Sequence, residues 1–454
     1  MDIAAFRTPG LGDTTYLLTH EGVGILVDPQ RDVDRFIDFA DGAGIRIGHV
    51  LETHLHNDYV SGGREAARRS RAQLVLPAAA GAAFEHVPAF HLEDLEAEAQ
   101  LTIRPIHTPG HTPEHVSYLV LLDRRPVALF SGGSLLAGSA GRTDLLGPAR
   151  AGQLGVLQFG SLQRLAALPD EVPLYPTHGA GSFCSASLAS RGTSTIGHEK
   201  AFNPALAHRD AAEFVRAQLA GLQPYPTYYA AMGPINVLGP QPMPAQTVPS
   251  LSERDVRTLA NRVWVVDARP RERFAAGHIP GSIGIELDEQ FGVWAGWILP
   301  FGSPIVLVLD PGQDLAEAMV QLARIGFDDV RGVVQDLDPL NRTPESLAAF
   351  KTVDVSEAAD ALRRGLVRQI LDVRSPGEWD AGHLGVGFHT YVPDLVDRVP
   401  DGLSPDEPVW VACASGYRAT IAAGLLERAG FRPIVVSRGG IPDLMRLASG
   451  GQAA

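Results

Sequence analysis

Cys413 ends the apolar run Val409-Trp410-Val411-Ala412 and opens a loop of mostly small residues, Ala414-Ser415-Gly416-Tyr417, with Arg418 close behind. An apolar helical stretch is expected over Ile421 to Ala429. Strand, nucleophile loop and helix in that order put backbone N–H groups, a helix N-terminus and a guanidinium around one sulfur. Such a field favours thiolate over thiol and holds an anion bonded to the sulfur. Gly416 gives the loop the backbone freedom to turn its N–H groups inward. The loop residues Ala414, Ser415, Gly416 and Tyr417 are therefore the expected substrate cradle, with Cys413 and Arg418 as the catalytic pair. Cys184, in Gly181-Ser182-Phe183-Cys184 six residues past His178, reads as a buried structural thiol, with a sulfur relay near the metal candidates as the alternative.

A second constellation lies in the first half of the chain. Thr53-His54-Leu55-His56-Asn57-Asp58-Tyr59 follows the strand-like run Ile47 to Leu51. His54, His56 and Asp58 alternate at a strand end, where a modest bend converges them on one ion. His111, in Thr108-Pro109-Gly110-His111-Thr112, and His178, in Pro176-Thr177-His178-Gly179, stand at two more strand-to-loop junctions. These five residues are the metal candidates. His49, His86, His91, His107, His115, His198 and His208 lack such context and are read as structural, His115 being the nearest to an exception.

The elements that must position these groups show in the patterning. Tyr16-Leu17-Leu18, Gly24 to Val27, Val116 to Val120 and Val127 to Phe130 are strand-like. Asp32 to Ala40, Gln153 to Leu168 and His208 to Leu222 read as helices. Gly233 to Pro249 carries Pro234, Pro240, Pro242, Pro244 and Pro249 and reads as a linker, too proline-rich for an element interior. Trp294 to Phe301, apolar and broken by Gly296 and Pro300, reads as a buried loop.

Beyond the linker the chain repeats itself. Asp267-Ala268-Arg269 … Gly277-His278-Ile279 matches Asp372-Val373-Arg374 … Gly382-His383-Leu384, and Ile325-Gly326-Phe327 matches Ala429-Gly430-Phe431. Each copy reads as an α/β unit on a parallel sheet. The alignment puts Leu309 in the place of Cys413 and Asp314 in the place of Arg418, so only the second copy can do cysteine chemistry. Asp372 and Arg374 read as a structural pair.

Composition bounds the rest. The chain has 454 residues, 45% of them hydrophobic and 20% charged, with a formal charge of -14. Such a charge argues against nucleic acid as a partner. No apolar run approaches membrane-spanning length. Two cysteines make no disulfide framework, and no basic and apolar leader opens the chain, so a cytoplasmic protein is expected.

These motifs resemble metallo-β-lactamase-fold proteins fused to tandem rhodanese domains, related to persulfide dioxygenases. His54-x-His56-x-Asp58, Thr108-Pro109-Gly110-His111-Thr112, Gly141-Arg142-Thr143-Asp144, Pro176-Thr177-His178-Gly179 and Asn203-Pro204 carry the first part. Gly277-His278-Ile279-Pro280-Gly281 and Cys413 to Arg418 carry the second. The resemblance implies a mixed α/β and α+β chain: a metallo-β-lactamase αββα sandwich over 1–245, a rhodanese-like domain without its cysteine over 250–345, and a rhodanese domain over 350–450. It also implies one Fe(II) or Zn(II) ion, and small sulfur compounds such as thiosulfate, glutathione persulfide and sulfite as partners. A homo-oligomer is left open.

The resemblance implies a departure as well. Dioxygenases of this kind hold Fe(II) with two His and one Asp. Here the histidines would be His54 and His111, but the turn that should carry the aspartate reads Ser131-Gly132-Gly133, and Tyr59 stands where related hydrolases carry a further His. His54, His56 and His111, with Asp58 and His178 nearby, are then expected around any ion. Gly133→Asp is expected to complete the triad and raise iron occupancy. The expected chemistry is rhodanese-type sulfur transfer through a Cys413 persulfide. Two alternatives stay open: zinc-dependent thioester hydrolysis with the rhodanese domains as binding modules, and an active iron persulfide dioxygenase.

Overall fold

The computed structural model describes residues 1–185, 192–244, 247–259, 262–337 and 347–449. The expected domain limits at 245, 345 and 450 fall outside them. The chain forms two compact units, Met1–Ala245 with Val320–Gly326, and Gln246–Met319 with Phe327–Ala454.

The first unit contains two six-stranded sheets. One runs in sequence order through Asp2–Thr8, Asp13–His20, Val23–Val27, Arg46–Leu51, Gln73–Pro77 and Val87–Ala89. The period-two alternation of a strand decides what faces what. Tyr16, Leu18, Ile25, Val27, Leu51 and Val75 pack inward against Ile103, Val116, Tyr118, Val120 and Phe130 of the second sheet. Their neighbours Leu17, Leu26, Val50 and Leu74 face the other way, onto Phe36, Ile37, Ala66 and Ala67 of the helices Asp34–Gly42 and Gly63–Ser70. The second sheet packs its outer face on the helices Pro148–Ala166 and Ala211–Ala220 through Leu119, Leu129, Leu162, Leu165 and Phe214. The layers are α, β, β, α. Each fully buried Leu, Val or Phe contributes about 1.5–3 kcal/mol to holding them.

The second unit contains two mainly parallel sheets, one per repeat. The first has four strands, with Trp264–Asp267, Ile305–Val308 and Val330–Val334 paired in parallel. The second has five, with Gln369–Asp372, Val409–Ala412 and Pro433–Ser437 at its centre. Ile305–Val308 and Val409–Ala412, central in their sheets, are wholly buried and read as continuous apolar runs, as parallel strands covered on both faces must. The Asp-x-Arg pairs serve the same purpose in both copies. Arg269 bonds Asp267 and the Gly277 carbonyl, at 2.7 Å each, and Arg374 bonds Asp372 and the Gly382 carbonyl, at 2.7 and 2.8 Å.

Three sequence expectations are corrected. Trp294 to Phe301 is no loop: a helix spans Phe291–Ile298, with Phe291, Val293, Ala295, Trp297 and Ile298 all buried. A helix buried all round shows no 3.6-residue polar period to read. Pro234 lies inside the helix Tyr229–Leu238, which stays anchored by buried Tyr229, Met232 and Asn236. The Asn236 side chain bonds the carbonyls of His56 and Tyr59, tertiary contacts that offset the hydrogen bond the proline removes. The helix after Cys413 spans Tyr417–Arg428, so Arg418 sits in its first turn rather than before it. No helix among the described residues is long and apolar enough to cross a membrane.

Candidate functional site

The histidines of the first unit converge because each follows a strand end. His54 and His56 follow Arg46–Leu51, His111 follows Leu101–His107, and His178 follows Pro173–Pro176. All are fully buried, as is Asp58. Three sets of donor atoms lie within 4.8 Å of one another: His54, His111 and His178; Asp28, His54 and His56; His56, Asp58 and His178. The Nε2 atoms of His54 and His178 are 3.4 Å apart. Burial holds His54, His111 and His178 below the ordinary imidazole range, so all three present neutral rings, the form that binds metal.

His56 behaves differently. Its Nε2 faces Glu52 at 3.0 Å and Asp28 at 3.3 Å, and its ring stacks on Tyr59 at 4.2 Å. Burial opposes its charge, but the two carboxylates outweigh burial and keep it protonated well above the usual range. Asp58 accepts a bond from Cys184 Sγ at 3.4 Å and lies 3.3 Å from His178 Nδ1. Burial pushes the carboxyls of Asp13 and Asp58 up to about 7.

Three residues here escaped sequence reasoning: Asp13, Asp28 and Glu52. Asp13 and Asp28 precede the histidine motif by tens of residues and carry no local signature. His115, read as structural, stacks on His54 at 5.0 Å. Both its nitrogens are engaged, one with Thr108 Oγ1 at 2.9 Å and the other accepting the Gly133 N–H at 3.0 Å. It therefore fixes the turn that carries Gly133. That turn corrects the expectation for Gly133→Asp. A Cβ on residue 133 would fall 2.2 Å from His111 Cδ2 and 2.6 Å from its Nε2. The imidazole fills the space an aspartate would enter, so the substitution collides with His111 instead of completing a triad.

In the second unit Cys413 directly follows the strand Val409–Ala412 and is 1% exposed. Its Sγ accepts the Gly416 N–H at 3.1 Å. Gly416 holds φ +94, and a Cβ there would stand 3.1 Å from Ser437 Cα, so glycine is needed for both conformation and room. Arg418 makes a paired bond to Glu378, at 2.5 and 2.8 Å. Burial would push Glu378 up, but the hydrogen bonds and charge of Arg418 hold it at about 2. Tyr417 reaches into the first repeat, its hydroxyl 3.3 Å from the Glu286 carbonyl and 3.4 Å from Asp288. In that repeat Leu309 directly follows the strand Ile305–Val308, and Asp314 accepts the backbone N–H groups of Ala316 and Glu317 at the next helix.

The metallo-beta-lactamase superfamily model matches residues 8–178, and the rhodanese-like domain model matches 252–336 and 354–446. Hydroxyacylglutathione hydrolase of Methylobacillus flagellatus is 31% identical over 216 residues, covering 47% of this chain and 78% of that protein. The same enzyme of Acidiphilium cryptum is 33% identical over 230 residues, covering 49% and 84%. The chain belongs to the metallo-β-lactamase superfamily. It joins that domain to tandem rhodanese-like domains. A crystal structure of a metallo-beta-lactamase from Staphylococcus aureus subsp. aureus COL superposes with a TM-score of 0.66 at 30% identity, covering 74% of this chain and 99% of that one. The likeness to it thus extends well past the first unit's matched residues. Family and fold together support an enzyme of sulfur or thioester chemistry with a His/Asp cluster able to hold a metal.

Proposed function

We propose that this protein is a sulfurtransferase in which Cys413 carries sulfane sulfur. The observation that carries the reading is the Cys413 loop: a buried thiol at a strand end, taking the Gly416 N–H at 3.1 Å beside the first turn of a twelve-residue helix, in the repeat that has it and not in the one with Leu309. The Cys413 thiolate attacks the outer sulfur of thiosulfate or glutathione persulfide. A new S–S bond forms to Cys413, the donor's S–S bond breaks, and its electron pair leaves with sulfite or glutathione thiolate. Sulfite, cyanide or a thiolate then takes the sulfur by the reverse step. The N–H groups of the Ala414 to Tyr417 loop cradle the transferred group. Arg418 positions that loop through Glu378, and the repeat with Leu309 is a silent packing partner.

The first unit, in this reading, binds one Fe(II) or Zn(II) ion among His54, His56, Asp58, His111 and His178. The donor set fits: His111 Nε2 and Asp58 Oδ1 are buried without a partner among the described residues. A bound ion supplies Lewis acidity at that place. The hydroxyacylglutathione hydrolases among the relatives favour a second reading, hydrolysis of a glutathione thioester there, with the rhodanese domains as binding modules. Cys413→Ser separates the two. Loss of thiosulfate:cyanide transfer with unchanged metal content supports the first. Transfer that persists in the variant, beside thioester turnover, sinks it.

A further inference from the structure

Resting on the reading that the first unit holds a metal, we propose that its centre is a three-histidine site, His54, His111 and His178. In this site Asp13 is the positioning residue that aims His178 at the centre it shares with His54 and His111. His56 stands outside it.

Ring tautomers argue first. His111 Nδ1 donates to the Arg142 carbonyl at 2.8 Å, and His178 Nδ1 donates to Asp13 Oδ1 at 2.8 Å. His54 Nδ1 lies 2.8 Å from Thr53 Oγ1, whose own proton goes to Asp28 at 2.7 Å, so that oxygen accepts. Each Nδ1 therefore carries the proton, and each Nε2 turns a lone pair to the common centre. Distances argue next. Two nitrogens 2.0–2.1 Å from one tetrahedral ion stand about 3.3–3.4 Å apart. The Nε2 atoms of His54 and His178 are 3.4 Å apart, and His111 completes the group within 4.8 Å. His111 Nε2 is buried with no partner among the described residues.

His178 is also built in from the backbone. Asp13 and His178 form an isolated antiparallel bridge, with Thr14 N bonding the Thr177 carbonyl and Gly179 N bonding the Gly12 carbonyl, at 2.8 Å each. The carboxylate that aims the ring is thus locked to the ring's own residue. His56 has an unpartnered Nδ1 too, but its donor groups are with Asp28 and His54 or with Asp58 and His178, never with His111, and its other nitrogen is committed to Glu52 and Asp28. Gly133 cannot contribute, and His111 lies over it. Three neutral imidazoles without a carboxylate take a borderline divalent cation such as Zn(II) in preference to the harder Fe(II).

The test is Co(II) titration of metal-free full-length protein, read by visible absorption and by bound metal per chain. Circular dichroism and Cys413 sulfur transfer serve as folding checks. Wild type should bind one Co(II) with the strong visible bands of a tetrahedral site. His178→Ala should abolish binding. Asp13→Asn, nearly isosteric, should weaken binding by about 10–100-fold, and His56→Asn should change it less than threefold. If His56→Asn costs as much as His178→Ala, or Asp13→Asn costs nothing, the three-histidine assignment is overturned while the metal reading stands. Wild type that binds no Co(II) overturns both.

Discussion

Gly133→Ala isolates the steric part of this account with one methyl group. That methyl would lie 2.2 Å from His111 Cδ2, 2.6 Å from Nε2 and 2.8 Å from Cγ. Ordinary carbon contacts begin near about 3.5 Å, so the ring must retreat by about 1.3 Å. It has little room to do so: a Cβ on Gly141 would stand 2.8 Å from His111 Nδ1, and Nδ1 is held by the Arg142 carbonyl at 2.8 Å. A retreat of that size is therefore resisted on the opposite side of the ring. Overpacking costs about 1–3 kcal/mol, and the first unit should lose about that much. It should lose metal as well, since ligand distances tolerate only about 0.2 Å. The assay uses the tryptophans. All five, Trp264, Trp294, Trp297, Trp379 and Trp410, belong to the second unit. Urea unfolding seen by circular dichroism but silent in tryptophan fluorescence therefore reports the first unit. Its midpoint should fall in the alanine variant while the fluorescence transition stays. An unshifted midpoint with wild-type metal content would refute the steric reasoning. Gly133→Asp should lower metal content as well.

Cys413→Ser should abolish thiosulfate:cyanide transfer and leave metal content unchanged, as measured by cyanolysis and elemental analysis. Leu309→Cys should yield no persulfide on residue 309 by mass spectrometry, because Asp314 offers that loop a carboxylate where Cys413 has Arg418. Glu378→Gln should cost about 1 kcal/mol or less in the second unit's fluorescence-detected unfolding at neutral pH, since Glu378 is partly exposed and screened. Glu378 is depressed in the fold, from an ordinary 4.5 to about 2. Its contribution is therefore present above 4.5 and lost as pH falls from there through about 2, so the wild-type advantage should vanish across that acid window.

Much of this was legible because the chemistry sits in local motifs. The Cys413 loop and the two Asp-x-Arg repeats are contiguous in sequence, and the apolar run Tyr16-Leu17-Leu18 read as the strand it forms. The helix Phe291–Ile298 was hidden by its own burial. Asp13 and Asp28 were hidden because their roles arise from pairing across the sheet, which no spacing within the His54 motif reveals. The collision between Gly133 and His111 was hidden for the same reason. Sequence shows that a carboxylate is missing from Ser131-Gly132-Gly133, but only three-dimensional placement shows an imidazole in its space.

The sulfur-carrier role of Cys413 is tested most directly by mass spectrometry of the full-length protein after brief exposure to thiosulfate or glutathione persulfide, then to sulfite or cyanide. One added sulfur atom is expected, located to the peptide containing Cys413, and it should disappear on addition of the acceptor. Sulfur that never appears on Cys413, or that appears there and stays when the acceptor is added, would contradict that role.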